Sequence, residues 1–145
     1  MAESNLTRTT IGGVPVVELA REFGTPLYVY DAGVIRQRFS ELAPFDVVRY
    51  AQKACSNVAI LALIRQLGGL VDAVSAGEIH RALAAGYPPA GDPPPIMYTA
   101  DIFDRDALDL VVEHHIHVNC GSRDMIEQLG ERAPGREITL RVNPG

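Results

Sequence analysis

The sequence predicts an α/β fold built from parallel β/α units, and three observations carry that expectation. Five short runs rich in β-branched or apolar residues recur: DVVRYAQ, LVDAVS, PIMYT, IHVNC and EITLRVN. Their starts, near residues 46, 70, 95, 116 and 137, lie about 21 to 25 residues apart. Between successive runs the apolar residues recur at helical, 3.6-residue spacing. Strand, helix, strand with short links is the pattern of a parallel sheet. Right-handed crossovers then leave two architectures, an open doubly wound sheet or a closed eight-fold barrel.

Each element has its own signal. PLYVY (26–30) reads as a lead-in strand that closes an N-terminal segment, 1–30. Asp31 then opens a helix carrying Ile35, Phe39 and Leu42, and the β/α part runs over 31–145. After DVVRYAQ, Ser56 or Asn57 caps a helix with Val58, Leu61 and Ile64, and Gly68 stands where a C′ glycine belongs. GEIHRALAAGY puts Ile79, Leu83 and Tyr87 on one face. Asp104 caps a third helix with the stripe Leu108, Val111 and Val112. Ser122 caps a fourth with Met125, Ile126 and Leu129, closing at Gly130. GYPPAGDPPP can neither continue a helix nor donate to a ladder, so it is a surface loop. The chain stops at RVNPG, the tail of a strand. Five β/α strands cannot close a barrel of eight, so the expectation is the N-terminal part of a longer protein, with an exposed sheet edge that invites association.

Composition narrows the classes. Of 145 residues, 47% are hydrophobic and 21% charged, as in ordinary globular domains. A net charge of −5, mixed in sign along the chain, argues against a nucleic-acid surface. No run approaches the roughly 20 apolar residues of a membrane span, and MAESNLTRTT has no cationic patch followed by an apolar segment. Cys55 and Cys120 are far apart without CxxC spacing, as expected for reduced thiols in the cytoplasm.

In parallel β/α folds the ligand lies beyond the carboxyl ends of the strands. Those ends carry Lys53, Ser75, Thr99 with Asp101, Asn119 with Ser122, and Arg141 with Asn143. Strand alternation puts Arg49, Ala51 and Lys53 on one face, with small Ala51 leaving room for a bulky group beside the lysine. A desolvated amine there loses part of its preference for the charged form and becomes a nucleophile towards carbonyls, which suits Schiff-base chemistry. The same position also suits a lysine whose stem lies on the strand while its ammonium reaches water. His114, His115 and His117 cluster in EHHIH, but the first two sit at a helix C-terminus and no carboxylate or cysteine is spaced to complete a metal site. GxGxxG, GxxxxGK[ST] and GxSxG are all missing from the sequence.

The segments FDVVRYAQKACSN, VDAVSAGEIHRALAAGY, YTADIFDRDAL, VNCGSRDMIEQLG and LRVNPG together resemble the N-terminal part of bacterial diaminopimelate decarboxylases. The likeness runs in order from about Thr25 to Gly145. It implies a partial (β/α)8 barrel of the alanine-racemase-like kind, with about five β/α units. It further implies that Lys53 holds pyridoxal 5'-phosphate as a Schiff base, and that Asp72 and Arg141 lie on the cofactor side. Glu78, like Asp72, matches an acidic position near that lysine. The implied reaction converts meso-diaminopimelate into L-lysine and CO2 in a homodimer of the full-length parent. In that family the phosphate-binding glycine loop, the substrate clamps and a C-terminal β domain come later in the chain. The 145 residues are therefore expected to be inactive as a decarboxylase alone. Alternatives are a related basic amino-acid or carboxylated-polyamine decarboxylase of the same fold, or a non-catalytic β/α binding module in which Lys53 contacts an anion.

Overall fold

The structure, a computed structural model, describes residues 8–144. Residues 1–7 of the stretch MAESNLTRTT, and Gly145 of RVNPG, lie outside the described residues. Two compact units divide the chain, Met1–Pro44 and Phe45–Gly145.

In the first unit β1 (Thr10–Ile11) and β2 (Val14–Pro15) pair antiparallel across Gly12-Gly13. The φ angles of those glycines, 58° and 82°, are the left-handed pair that a two-residue hairpin turn demands. A helix the sequence reading does not anticipate, α1 (Val16–Phe23), follows at once. The expected lead-in strand is corrected: residues 27–30 join no sheet. Their β propensity is local, and without a ladder it does not make a strand. The helix expected after it is present as α2 (Ala32–Ser40), with Asp31 Oδ1 accepting from the Gly33 and Val34 N–H groups at 2.8 and 3.3 Å.

The second unit is a parallel sheet of β3 (Arg49–Ala51), β4 (Leu70–Ala73), β5 (Ile96–Ala100), β6 (His117–Cys120) and β7 (Thr139–Leu140). Between them run α3 (Val58–Gln66), α4 (Ala76–Ala84), α5 (Arg105–Glu113) and α6 (Arg123–Arg132). Spatial strand order follows the sequence without reversal. A doubly wound sheet reverses its order and puts helices on both faces. Among the described residues the four helices pack on one face: Val71, Ala73, Tyr98 and Val118 are buried against Leu61, Ile79, Val111 and Met125. That selects a partial (β/α)8 barrel over the open sheet.

Alternation along the strands separates the two faces. In β4 and β6 the exposure pattern is half-buried, buried, half-buried, buried, so Val71 and Ala73 face the helices while Leu70 and Asp72 face the other way. Register carries Asp72, Met97 and His117 along one row of the uncovered face, and Thr99, Asn119 and Thr139 along the next.

Helix ends repeat a device. After α3, the Gly69 N–H donates to Ile64 O and the Gly68 N–H to Arg65 O, with Gly68 at φ 85°. After α4, Tyr87 and Gly86 make the same pair of bonds to Ala82 and Leu83, with Gly86 at φ 86°. These are Schellman closures, and each delivers the chain to the next segment. After α5 the same geometry recurs with His115 in the left-handed position, at φ 53°. The fourth helix does not close at Gly130 as expected but continues to Arg132. Leu83, Val112 and Ile126, taken as stripe residues, are only partly covered, and Ala82, Val111 and Leu129 are the buried ones.

Candidate active site at the carboxyl edge of the sheet

Lys53 lies just beyond the carboxyl end of β3, the expected edge, but not as a strand residue. The strand stops at Ala51, and Gln52–Ala54 form a turn of 3-10 helix. The turn sends neighbouring side chains to opposite environments: Gln52 is 1% exposed, whereas Lys53 is exposed. The expectation of a desolvated amine is therefore corrected for this chain, because the turn after β3 leaves the lysine exposed. Helix α3 starts directly after, with Asn57 Oδ1 accepting from the Ala59 N–H at 2.9 Å.

Asp72 is the centre of the arrangement. Its Oδ1 accepts from Thr99 Oγ1 at 2.5 Å, a charge-assisted bond from the neighbouring strand. Burial pushes the Asp72 carboxyl above its ordinary value, and four groups oppose it: the Thr99 hydroxyl, then the cations Arg49, Lys53 and Arg141. Lys53 and Asp72 are thus within electrostatic reach across β3 and β4. The Arg49 guanidinium is itself pushed below its usual value by burial, against the pull of Asp72, and donates to Val71 O at 3.4 Å. Arg141 follows β7; its N–H donates to Cys120 O at 2.8 Å and its Nη1 lies 3.3 Å from Asp101 Oδ1. That ion pair is exposed, and such pairs contribute roughly 0–1 kcal/mol.

The other polar strand-end residues divide by role. Ser75 and Ser122 accept from the Glu78 and Met125 N–H groups and cap α4 and α6. Glu78, expected near the lysine, is buried in the α4 cap, where its Oε2 accepts from the Val74 N–H at 2.8 Å. This is the reciprocal logic of a capping box, and it takes Glu78 out of the site. On the uncovered face Asn119 Oδ1 is buried with no hydrogen-bond partner. Both cysteines are unbridged; Cys120 is buried and its thiol is pushed up by burial. Arg49 is the residue missed as part of the site, although the period-two alternation places it on the lysine's face. Thr99 was visible only as one of several polar strand ends.

An amine, a carboxylate held by a hydroxyl, and the Arg141 guanidinium thus lie at the carboxyl edge of the sheet, with Arg49 at the start of β3 acting on the same carboxylate, a set suited to an aldehyde-bearing anionic ligand. The sequence matches, over residues 34–145, the family described as pyridoxal-dependent decarboxylase, pyridoxal binding domain. It is 52% identical over 139 residues to the diaminopimelate decarboxylase of Escherichia coli (strain K12), covering 96% of this chain and 33% of the relative. A crystal structure of diaminopimelate decarboxylase superposes with a TM-score of 0.90 at 50% identity, covering 99% of this chain and 34% of that one. Diaminopimelate decarboxylase from M. jannaschii in co-complex with L-lysine gives a TM-score of 0.81 at 28% identity, over 99% of this chain and 36% of that one. The chain spans about a third of the length of the relatives it matches. On this evidence the chain belongs to the pyridoxal-dependent decarboxylases and carries part of their pyridoxal binding domain.

Proposed function

We propose that this chain is the part of an amino-acid decarboxylase that bears the cofactor lysine, and that the whole enzyme converts meso-diaminopimelate into L-lysine and CO2. The observation that carries the reading is Lys53 at the carboxyl edge, beside a carboxylate already held by Thr99. The residues fit pyridoxal 5'-phosphate: an amine for its aldehyde, guanidinium groups for its negative charge, and a buried, unpartnered oxygen on Asn119 that wants a donor. When bound, that cofactor supplies an aldehyde that captures amines and a ring that accepts electrons.

Within this reading Lys53 contributes its Nζ to the aldehyde. Asp72 offers its remaining carboxylate oxygen to the Lys53 ammonium whenever the lysine is not bonded to the cofactor. Arg49 and Arg141 help keep Asp72 ionised against burial, and Arg141 would lie on the cofactor side. The pyridoxal-binding part runs from residue 31 onward, supported by the family match that begins at residue 34. A homodimeric, cytoplasmic enzyme goes with this assignment; the unbridged cysteines accord with it. No described helix is long and apolar enough to cross a membrane.

Borohydride reduction in the presence of pyridoxal 5'-phosphate, followed by peptide mass mapping, tests the assignment. A stable adduct at Lys53 is expected, and none in Lys53→Ala. An unmodified Lys53 in the full-length protein under saturating cofactor would overturn the assignment and favour the non-catalytic binding module. Because the face around Lys53 is open to water, the chain alone is expected to release no CO2 from meso-diaminopimelate, and measured turnover would contradict that.

A further inference from the structure

Thr99 reaches Asp72 from an unusual position. Asp72 is opposite Met97 in the β4–β5 register, and the partner of Thr99 across β5–β6 is Asn119. Thr99 is therefore the diagonal neighbour of Asp72, two residues beyond its register partner. The carboxylate and the hydroxyl nevertheless close to 2.5 Å. Threonine is stiff at χ1, and both residues are half-buried, so neither group swings freely. With Oδ1 engaged by Thr99, the lone pairs of Oδ2 remain for a cation. Three cations act on the Asp72 carboxylate through space: Arg49 from β3, Lys53 from the turn after β3, and Arg141 from beyond β7. Strand β6 contributes only neutral Asn119 at this level, while His117 lies one row lower with Nε2 2.8 Å from Thr139 Oγ1.

We propose that Thr99 is a positioning residue: by holding Oδ1 it fixes the rotation of the Asp72 carboxylate, so that the free oxygen serves Lys53 rather than turning towards the arginines. The effect on Asp72 stands on the geometry alone; the consequence for Lys53 rests on the reading of Lys53 as the cofactor lysine.

Two readouts test this on the full-length protein and its Thr99→Val and Thr99→Ser variants. The first is the Asp72 titration midpoint without cofactor, from side-chain carboxyl NMR. Loss of a hydrogen bond to the charged form is expected to raise that midpoint by about one pH unit in Thr99→Val, and Thr99→Ser is expected to restore it. The second is the pH profile of borohydride-trapped pyridoxal 5'-phosphate at Lys53, expected to move in Thr99→Val and to overlay the parent in Thr99→Ser. An unmoved Asp72 midpoint in folded Thr99→Val overturns the proposal, even if the melting temperature falls, because that is a structural role only. A shift that serine does not reverse also overturns it. Thr99→Ala is read the same way should valine prevent folding. If the full-length protein forms no adduct at Lys53, the functional assignment fails, while the Asp72 titration still decides what Thr99 does.

Discussion

Gly121 ties the fold to the site, and Gly121→Ala is expected to be costly for a reason that can be worked from distances. Its N–H donates to Ala100 O at 3.0 Å, joining the carboxyl ends of β5 and β6. A Cβ on Gly121 would collide with Asp101 Oδ1 and lie 2.6 Å from Ala100 O. The first contact is with a side chain that can move, at the expense of its pairing with Arg141. The second is with backbone and cannot be relieved without parting the two strand ends. Overpacking of this kind costs about 1–3 kcal/mol, and weakening the inter-strand bond adds about 1 kcal/mol. The sum, about 2–4 kcal/mol, is measurable as a shift of the urea midpoint at unchanged slope. Repeating the substitution in an Asp101→Ala background separates the two clashes. The penalty should shrink there by about 1 kcal/mol, since residues in contact couple, yet it should not vanish, since Ala100 O remains. If Gly121→Ala stays within about 0.5 kcal/mol of the parent, as a neutral surface change would, the close approach does not constrain the sheet.

Other perturbations read different parts of the structure. His115→Gly is expected to stabilise the chain by about 1 kcal/mol, because a non-glycine residue occupies the left-handed position at φ 53° that glycine fills after α3 and α4; an unchanged or lower melting temperature would count against it. Asp72→Asn tests a cost built into the site. Burial raises the folded carboxyl above its unfolded value, so the folded state holds that proton more tightly. Stability contributed by the protonated form is present at low pH and lost as pH rises through the raised value. Asp72→Asn should therefore gain stability relative to the parent as pH climbs through the carboxylate range, and a difference that is flat with pH would refute the sign. Ser122→Ala should lower stability by about 1 kcal/mol through loss of the bond from the Met125 N–H, with far-ultraviolet circular dichroism following the melt.

Much of the fold was legible because its signals are local. Strand runs and helical spacing identified β3 to β7 and α3 to α6, and the caps Asp31, Asn57, Asp104 and Ser122 are used as expected. Short-range signals failed where a distant partner had the last word. PLYVY has the composition of a strand but no sheet to join, and α1 begins directly after β2 with no side-chain cap. The site was half legible in the same sense. Lys53, Asp72 and Arg141 could be named from the resemblance, and they gather at one edge. Arg49 stood on the lysine's face by alternation but was not read as part of the site, and the bond from Thr99 could not be read at all, since it depends on which residues of neighbouring strands come side by side.

The sequence by itself determined the alternating β/α order, the helix caps, the edge at which the polar groups emerge and the family to which they belong. These follow from period, turn chemistry and motif, which act over a few residues along the chain. Only the tertiary structure decided that the sheet is covered on one face, that Glu78 turns into a helix cap, that Lys53 sits on an exposed turn, and that Thr99 rather than a charged group grips Asp72. Those outcomes hang on strand register and on which face the helices bury, and both are set by packing between segments 20 or more residues apart.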